Sequence, residues 1–136
     1  MNQADIIEKI LKESKTIAVV GLSPDPTRPS YNVAHYLQAQ GYRIIPVNPF
    51  VQAVLGEKSY PDLASVPETV DVVDIFRHPR HVPAIVEAAI AKGARAVWMQ
   101  EGIVHQEAAA RAREAGLMVV MDCCMLKEHR RLVLNL

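Results

Sequence analysis

The chain has 136 residues, half of them hydrophobic, and its 15 basic side chains balance 15 acidic ones to a formal net charge of zero. This length predicts a single domain, residues 1–136, with a packed core, and the neutral balance argues against nucleic-acid binding by bulk charge. The only cysteines, Cys123 and Cys124, are adjacent, which is no disulfide scaffold, and neither a membrane span nor a signal-peptide core is present, so a cytoplasmic protein is expected.

Residues 3–13 put Ile6, Ile7, Ile10 and Leu11 on one face and charges opposite, an amphipathic helix. An apolar run, 16–20, reads as a first strand. Gly21 follows, then a loop stiffened by Pro24, Pro26 and Pro29. A helix from about Ser30 to Gln40 comes next, with Ser30 as its N-cap and Gly41 as its left-handed end. The second strand, 42–47, stops at Asn48-Pro49. Residues 51–55 read as a short edge strand before Gly56, and 61–66 as one helical turn. VDVVDIF, 70–76, is a β-branched strand whose Asp71 and Asp74 suit strand ends or a polar edge. Helix 80–92 tolerates Pro83 in its first turn and ends at Gly93. Strand 94–99, helix 105–115 with Gly116 after it, strand 117–121 and a short helix over 126–132 complete the chain.

Strands alternating with helices of this length predict an α/β fold: a Rossmann-like, doubly wound, mostly parallel sheet with helices on both faces. With strand order 3-2-1-4-5-6, strand 16–20 lies beside strand 70–76 at the switch point. Four strand ends then line the ligand crevice: 21–23, 47–49, 76–77 and 100–102.

The first strand–loop–helix unit places a helix N-terminus at that crevice, which suits an anion such as phosphate. The glycine fingerprint G-x-G-x-x-G is missing. Gly21 is either a close-approach turn or a plain strand terminator, and phosphate contacts fall to Ser23, Arg28, Ser30 and backbone N–H groups. Asn48 stands where an NAD site places an acid for the ribose, which counts against a conventional NAD enzyme; Asn48-Pro49 also reads as a simple turn. Phe76 and Arg77 offer a ring and a guanidinium to a planar base, or else belong to the core and an ion pair. His78 reads as a helix-start residue. Lys58 is either a ligand or a surface charge. Gln100, Glu101 and Gly102 form a polar loop at the end of a buried strand, where function concentrates. The cysteines lack metal-site spacing, the histidines form no cluster, and G-x-S-x-G fails after Ser23.

The blocks GLSPDPTRPSYNVAHYL, GYRIIPVNPF, VLGEKSYPDLASVP, VDVVDIFR, GARAVWMQEGI and AGLMVVMDCC, in that order, resemble the small bacterial CoA-binding domain proteins. They also resemble the N-terminal CoA-binding domain of the succinyl-CoA synthetase α-subunit. The resemblance covers roughly residues 10–132. It implies coenzyme A or an acyl-CoA as ligand, with Gly21 to Ser23 as the phosphate-side turn. Asn48-Pro49 and Phe76-Arg77 would line the adenosine end, and Gln100 to Gly102 the pantetheine arm. Two features depart from it. The synthetase works through a phosphohistidine on a further domain, so ligase activity is not expected here. Where many relatives have Asp-Arg-Cys, this chain has Asp122-Cys123-Cys124. The expectation is a stand-alone CoA-binding protein with no catalytic residues and no metal. The alternatives are a nucleotide-dependent oxidoreductase, a thiol-redox protein using Cys123 and Cys124, and an interaction module that has kept the fold without the ligand.

Overall fold

The computed structural model describes residues 1–135. In chain order it contains α1 (Gln3–Glu13), β1 (Thr16–Val20), α2 (Pro29–Ala39), β2 (Arg43–Val47), β3 (Ala53–Val54), β4 (Glu57–Lys58), β5 (Val72–Ile75), α3 (Val82–Lys92), β6 (Ala96–Met99), α4 (Gln106–Glu114), β7 (Met118–Val120) and α5 (Met125–Leu134). Five strands form one parallel sheet in the order β2-β1-β5-β6-β7. Counting those five alone, the order is 2-1-3-4-5, a doubly wound arrangement that reverses direction between β1 and β5.

Side chains of a strand alternate between faces, and the two faces carry separate cores. Ala18, Val20, Val73, Ile75, Val97 and Met99 pack with Val82, Val86 and Ala89 of α3 and Ala108, Ala109 and Ala112 of α4. Ile17, Val19, Val72, Ala96 and Trp98 pack with Ile7 and Ile10 of α1, Val33 and Leu37 of α2 and Met125 of α5. Each fully buried aliphatic side chain, such as Ile10 or Leu37, contributes about 1.5–3 kcal/mol. Helices on both faces are what near-continuous apolar strands require.

Three expectations need correction. The 51–55 segment does not join the sheet as an edge strand. Leu55 and Gly56 have φ of 56° and 75°, both positive as in a type I′ turn, and they fold β3 back on β4 as an antiparallel hairpin. The place beside β2 is taken by a single bridging residue, Tyr60 opposite Val47, so the six-stranded order does not arise. Arg43 ties the hairpin to β2 through Glu57 and reaches Glu68 at 2.8 Å. Ser30 is not the N-cap of α2: Arg28 occupies that position without a capping side chain, and Pro29 is the first helical residue, where its missing N–H costs nothing. Asp74 is not at a strand end or a polar edge. It lies inside β5 between Val19 of β1 and Trp98 of β6 and is fully buried. Gly41, Gly93 and Gly116 do end helices in the left-handed region, as expected.

Candidate functional site

The reversal between β1 and β5 leaves a crevice at the carboxyl ends of the strands, and two clefts open there. One, of about 400 Å³, is lined by Val33 of α2, Phe76, Arg77, Gln100, Glu101 and Cys124, among others. The second, of about 220 Å³, lies against Val20, Val47, Pro49, Arg77 and Ile85. Arg77 borders both. A larger groove of about 640 Å³ runs between α1 and α5, and its arginine, Arg131, is already held by Glu128 at 2.9 Å.

Arg77 is half-buried, and among the described residues no carboxylate comes within ion-pair distance of it or of Arg28. Arg77, His78, Arg80 and His81 make a basic cluster after β5. Burial first, and then Arg77, Arg80 and His78, hold the His81 imidazole below its usual pKa. His78 Nδ1 accepts the Arg80 N–H at 3.1 Å, the helix-start role expected of it. An unpaired guanidinium beside the uncapped N-terminus of α2 has the chemistry that suits an anion.

The loop after β1 is fastened from within. Gly21 donates its N–H to the Val47 carbonyl at 2.9 Å, Ser23 donates its N–H to Ser30 Oγ at 3.0 Å, and Ser23 Oγ accepts the Asp25 N–H. Ser30 is buried in this role. Asn48 donates Nδ2–H to the Leu22 carbonyl and accepts the Phe50 N–H, both at 2.9 Å. Its amide therefore clamps two loops together. Phe50 itself stands 92% exposed. Lys58 is exposed on β4, its ammonium 5.2 Å from the centre of the Tyr60 ring, and lines neither cleft.

Of the twelve residues singled out in the sequence, Phe76, Arg77, Gln100 and Glu101 converge on the larger cleft and Pro49 joins Arg77 on the smaller. Gly21, Ser23, Ser30 and Asn48 build the loop behind them, and Arg28 stands exposed at its far end. Glu101 is held by Lys127 at 2.9 Å. Gly102 donates its N–H to Asp122 Oδ1 at 2.7 Å, and the Asp122 N–H returns to the Ile103 carbonyl, which ties the end of β6 to the end of β7.

Sequence reasoning missed Val33 and Ile103 as cleft residues, and it missed Asp74. Gln100, 3% exposed, donates Nε2–H to Asp74 Oδ1 at 2.6 Å. Asp74 Oδ2 is buried with no partner. Burial pushes the Asp74 carboxyl up to about 7, against the opposing hydrogen bond from Gln100. The cysteines point away from redox chemistry. Cys124 is buried, and Cys123 is raised by burial first and then by Glu128 and Asp122, which disfavours the thiolate that exchange needs. Among the described residues no group of three or more histidine, cysteine, aspartate or glutamate side chains could hold a metal ion, and no helix is long and apolar enough to cross a membrane.

The fold is a Rossmann-like α/β sheet with a crevice at its topological switch point. Residues 15–130 match the family model described as a CoA binding domain, and the chain belongs to that family. It is 40% identical over 123 residues to the uncharacterized protein YneT of Bacillus subtilis, covering 90% of this chain and 91% of that one. A hypothetical protein from Pyrococcus horikoshii, solved experimentally, superposes with a TM-score of 0.93 at 43% identity, covering 97% of this chain and 93% of the other. A shorter match, 32% identical over 81 residues, is to an acetate–CoA ligase (ADP-forming) of Archaeoglobus fulgidus; it covers 58% of this chain and 12% of the ligase.

Proposed function

We propose that this protein binds coenzyme A or an acyl-CoA across the carboxyl ends of β1, β2, β5 and β6, as a carrier, sensor or regulatory module without ligase chemistry of its own. The observation that carries the reading is Arg77, an unpaired, half-buried guanidinium bordering both clefts at the reversal of the sheet, in a chain of the CoA-binding domain family. The residues present fit such a ligand. Arg77, Arg28 and the uncapped start of α2 suit its phosphates. Phe76 and Pro49 suit the adenosine end. The apolar wall of Pro29, Val33 and Ile103, with Gln100 to Gly102, suits the pantetheine arm. Ligase chemistry stays outside the proposal because the region shared with the ligase is 12% of that enzyme.

Asn48 adds support against NAD: its amide is already engaged with Leu22 and Phe50, and it offers no carboxylate to a ribose. The test is isothermal titration with CoA, acetyl-CoA, NAD and NADP, together with native mass spectrometry of gently purified protein. CoA or its thioester should bind more tightly than NAD. NAD binding more than about tenfold tighter, a gap of about 1.4 kcal/mol, would overturn the reading.

A further inference from the structure

A carboxylic acid in the middle of a central strand needs a reason. Asp74 lies on the face of the sheet covered by α1, α2 and α5, beside Trp98. Its one hydrogen bond from a described residue comes from Gln100, and its second oxygen is buried without a partner. Gln100 lines the larger cleft, and its Oε1 accepts no hydrogen bond from a described residue. One side chain thus touches a buried acid at one end and the ligand crevice at the other.

Charged groups that could fix the state of Asp74 are remote from it in chemistry. The acids and lysines of α1 are exposed. α2 brings Tyr31, His35 and Tyr36, and the Tyr36 hydroxyl is engaged with His129 Nδ1 of α5 at 2.9 Å. Glu128 of α5 pairs with Arg131, and Glu101 with Lys127. Cys123, Cys124, Arg77 and His78 come from the loops. The Asp74 carboxyl answers to burial first and then to Gln100.

We propose that Asp74 is a positioning residue that decides, through Gln100, whether the wall of the larger cleft offers its ligand a hydrogen-bond acceptor or a donor. The carboxylate can only accept, so it holds the Gln100 NH₂ and turns Oε1 to the cleft. The carboxylic acid can donate. Once a proton from solvent sits on Oδ1, the amide is better placed reversed, with Oε1 accepting from the acid and the NH₂ facing the cleft. That leaves Oδ2 as a neutral acceptor, which is cheaper to bury than a charge. A pantetheine amide or thioester carbonyl would be received by the donor state, and an amide N–H by the acceptor state. The step from cleft to ligand rests on the CoA reading; the step from Asp74 to Gln100 does not. By linkage, a ligand that prefers one state must also move the Asp74 titration.

The test has two arms. In the ligand-free protein, the Gln100 side-chain NH₂ resonances are followed by ¹H–¹⁵N NMR across neutral pH. They should move with one midpoint in the wild type and stay flat in Asp74→Asn. A flat wild-type signal, or the same titration in Asp74→Asn, overturns the proposal. In the second arm, CoA and acetyl-CoA affinities are measured at about pH 6 and 8 in the wild type, Asp74→Asn and Gln100→Met. The ligand's own phosphate titration is common to all three and cancels. For at least one of the two ligands, the change in affinity between these pH values in the wild type should differ about fivefold or more from the change in either variant. Gln100→Met keeps the buried acid, so the arm stands even where Asp74→Asn folds poorly. An equal pH profile in wild type and variants overturns the proposal and leaves CoA binding intact. No binding at any pH, with a titrating Gln100 signal, overturns the CoA reading and leaves the Asp74–Gln100 device standing.

Discussion

The carbonyl oxygen of Phe76 lies 2.5 Å from the point that a Cβ on Gly21 would occupy, and Arg77 Cδ lies 2.9 Å from it. The ends of β1 and β5 therefore meet through a bare backbone, and the residue that permits the approach abuts the cation of the site. Gly21 also has φ of 89°. Gly21→Ala should lower stability by about 1–3 kcal/mol from backbone strain, with a further loss from the clash. Gly41→Ala carries strain at φ of 100° in open space and serves as the control. Urea midpoints measure both; a Gly21→Ala protein no weaker than Gly41→Ala would mean that the strand ends part at little cost.

Arg77→Ala should weaken CoA by about 1.5–3 kcal/mol, the range for hydrogen bonds to charged groups, and leave the melting temperature of the free protein nearly unchanged. No ion pair among the described residues is lost with it. Titration calorimetry at low and high salt should show the wild-type affinity falling as screening rises and the variant responding less. A fall in melting temperature with affinity spared would make Arg77 a structural residue.

Asp74 makes stability depend on pH with a definite sign. Its folded carboxyl is raised to about 7, whereas an unfolded aspartate titrates near 3.9. The folded state thus binds the extra proton between these values. Stability is highest below the unfolded value and falls as pH rises, levelling off above about 7. Asp74→Asn should abolish that slope and be the more stable protein at pH near 8, by up to about 4 kcal/mol. Denaturant unfolding near pH 5 and 8 checks it; a wild-type protein that gains stability over this interval relative to Asp74→Asn contradicts the assignment.

The thiols should be sluggish. Cys123 is partly accessible but raised by burial and by Glu128 and Asp122, and Cys124 is buried. Iodoacetamide near pH 8 should modify Cys123 more slowly than a free peptide cysteine and spare Cys124 until the protein unfolds. Incubation with CoA disulfide should leave most of the protein without an adduct by intact mass. Rapid, stoichiometric mixed-disulfide formation would restore the thiol-redox alternative.

Most of the architecture was legible because its signals are local. The helical spacing of Ile7, Ile10 and Leu11 gives α1, and glycines mark where helices hand over to strands. The hairpin was not legible: Leu55-Gly56 lacks the usual Asn-Gly or Asp-Gly of a type I′ turn, and two-residue strands leave no period to read. Ser30 looked like a cap because of its residue type, yet Pro29 sets the helix start and turns Ser30 inward. In VDVVDIF, alternation could not separate a polar edge from a buried acid, since that depends on the helices packed over Asp74. The position of Phe76, Arg77, Gln100 and Glu101 on one cleft was readable from their place after strands. Val33 and Ile103 reach the same cleft from distant parts of the chain, which no local pattern records.

The internally fastened loop between Gly21 and Ser30 has a kinetic consequence. Three prolines and the bonds from Ser23 to Ser30 and from Asn48 to Leu22 leave little of it to be ordered on arrival of a ligand. Encounter should then resemble docking against a rigid body, with small entropic loss in the cradle. Association rates should be alike for CoA and its various thioesters, and discrimination between acyl groups should reside in how long each one stays.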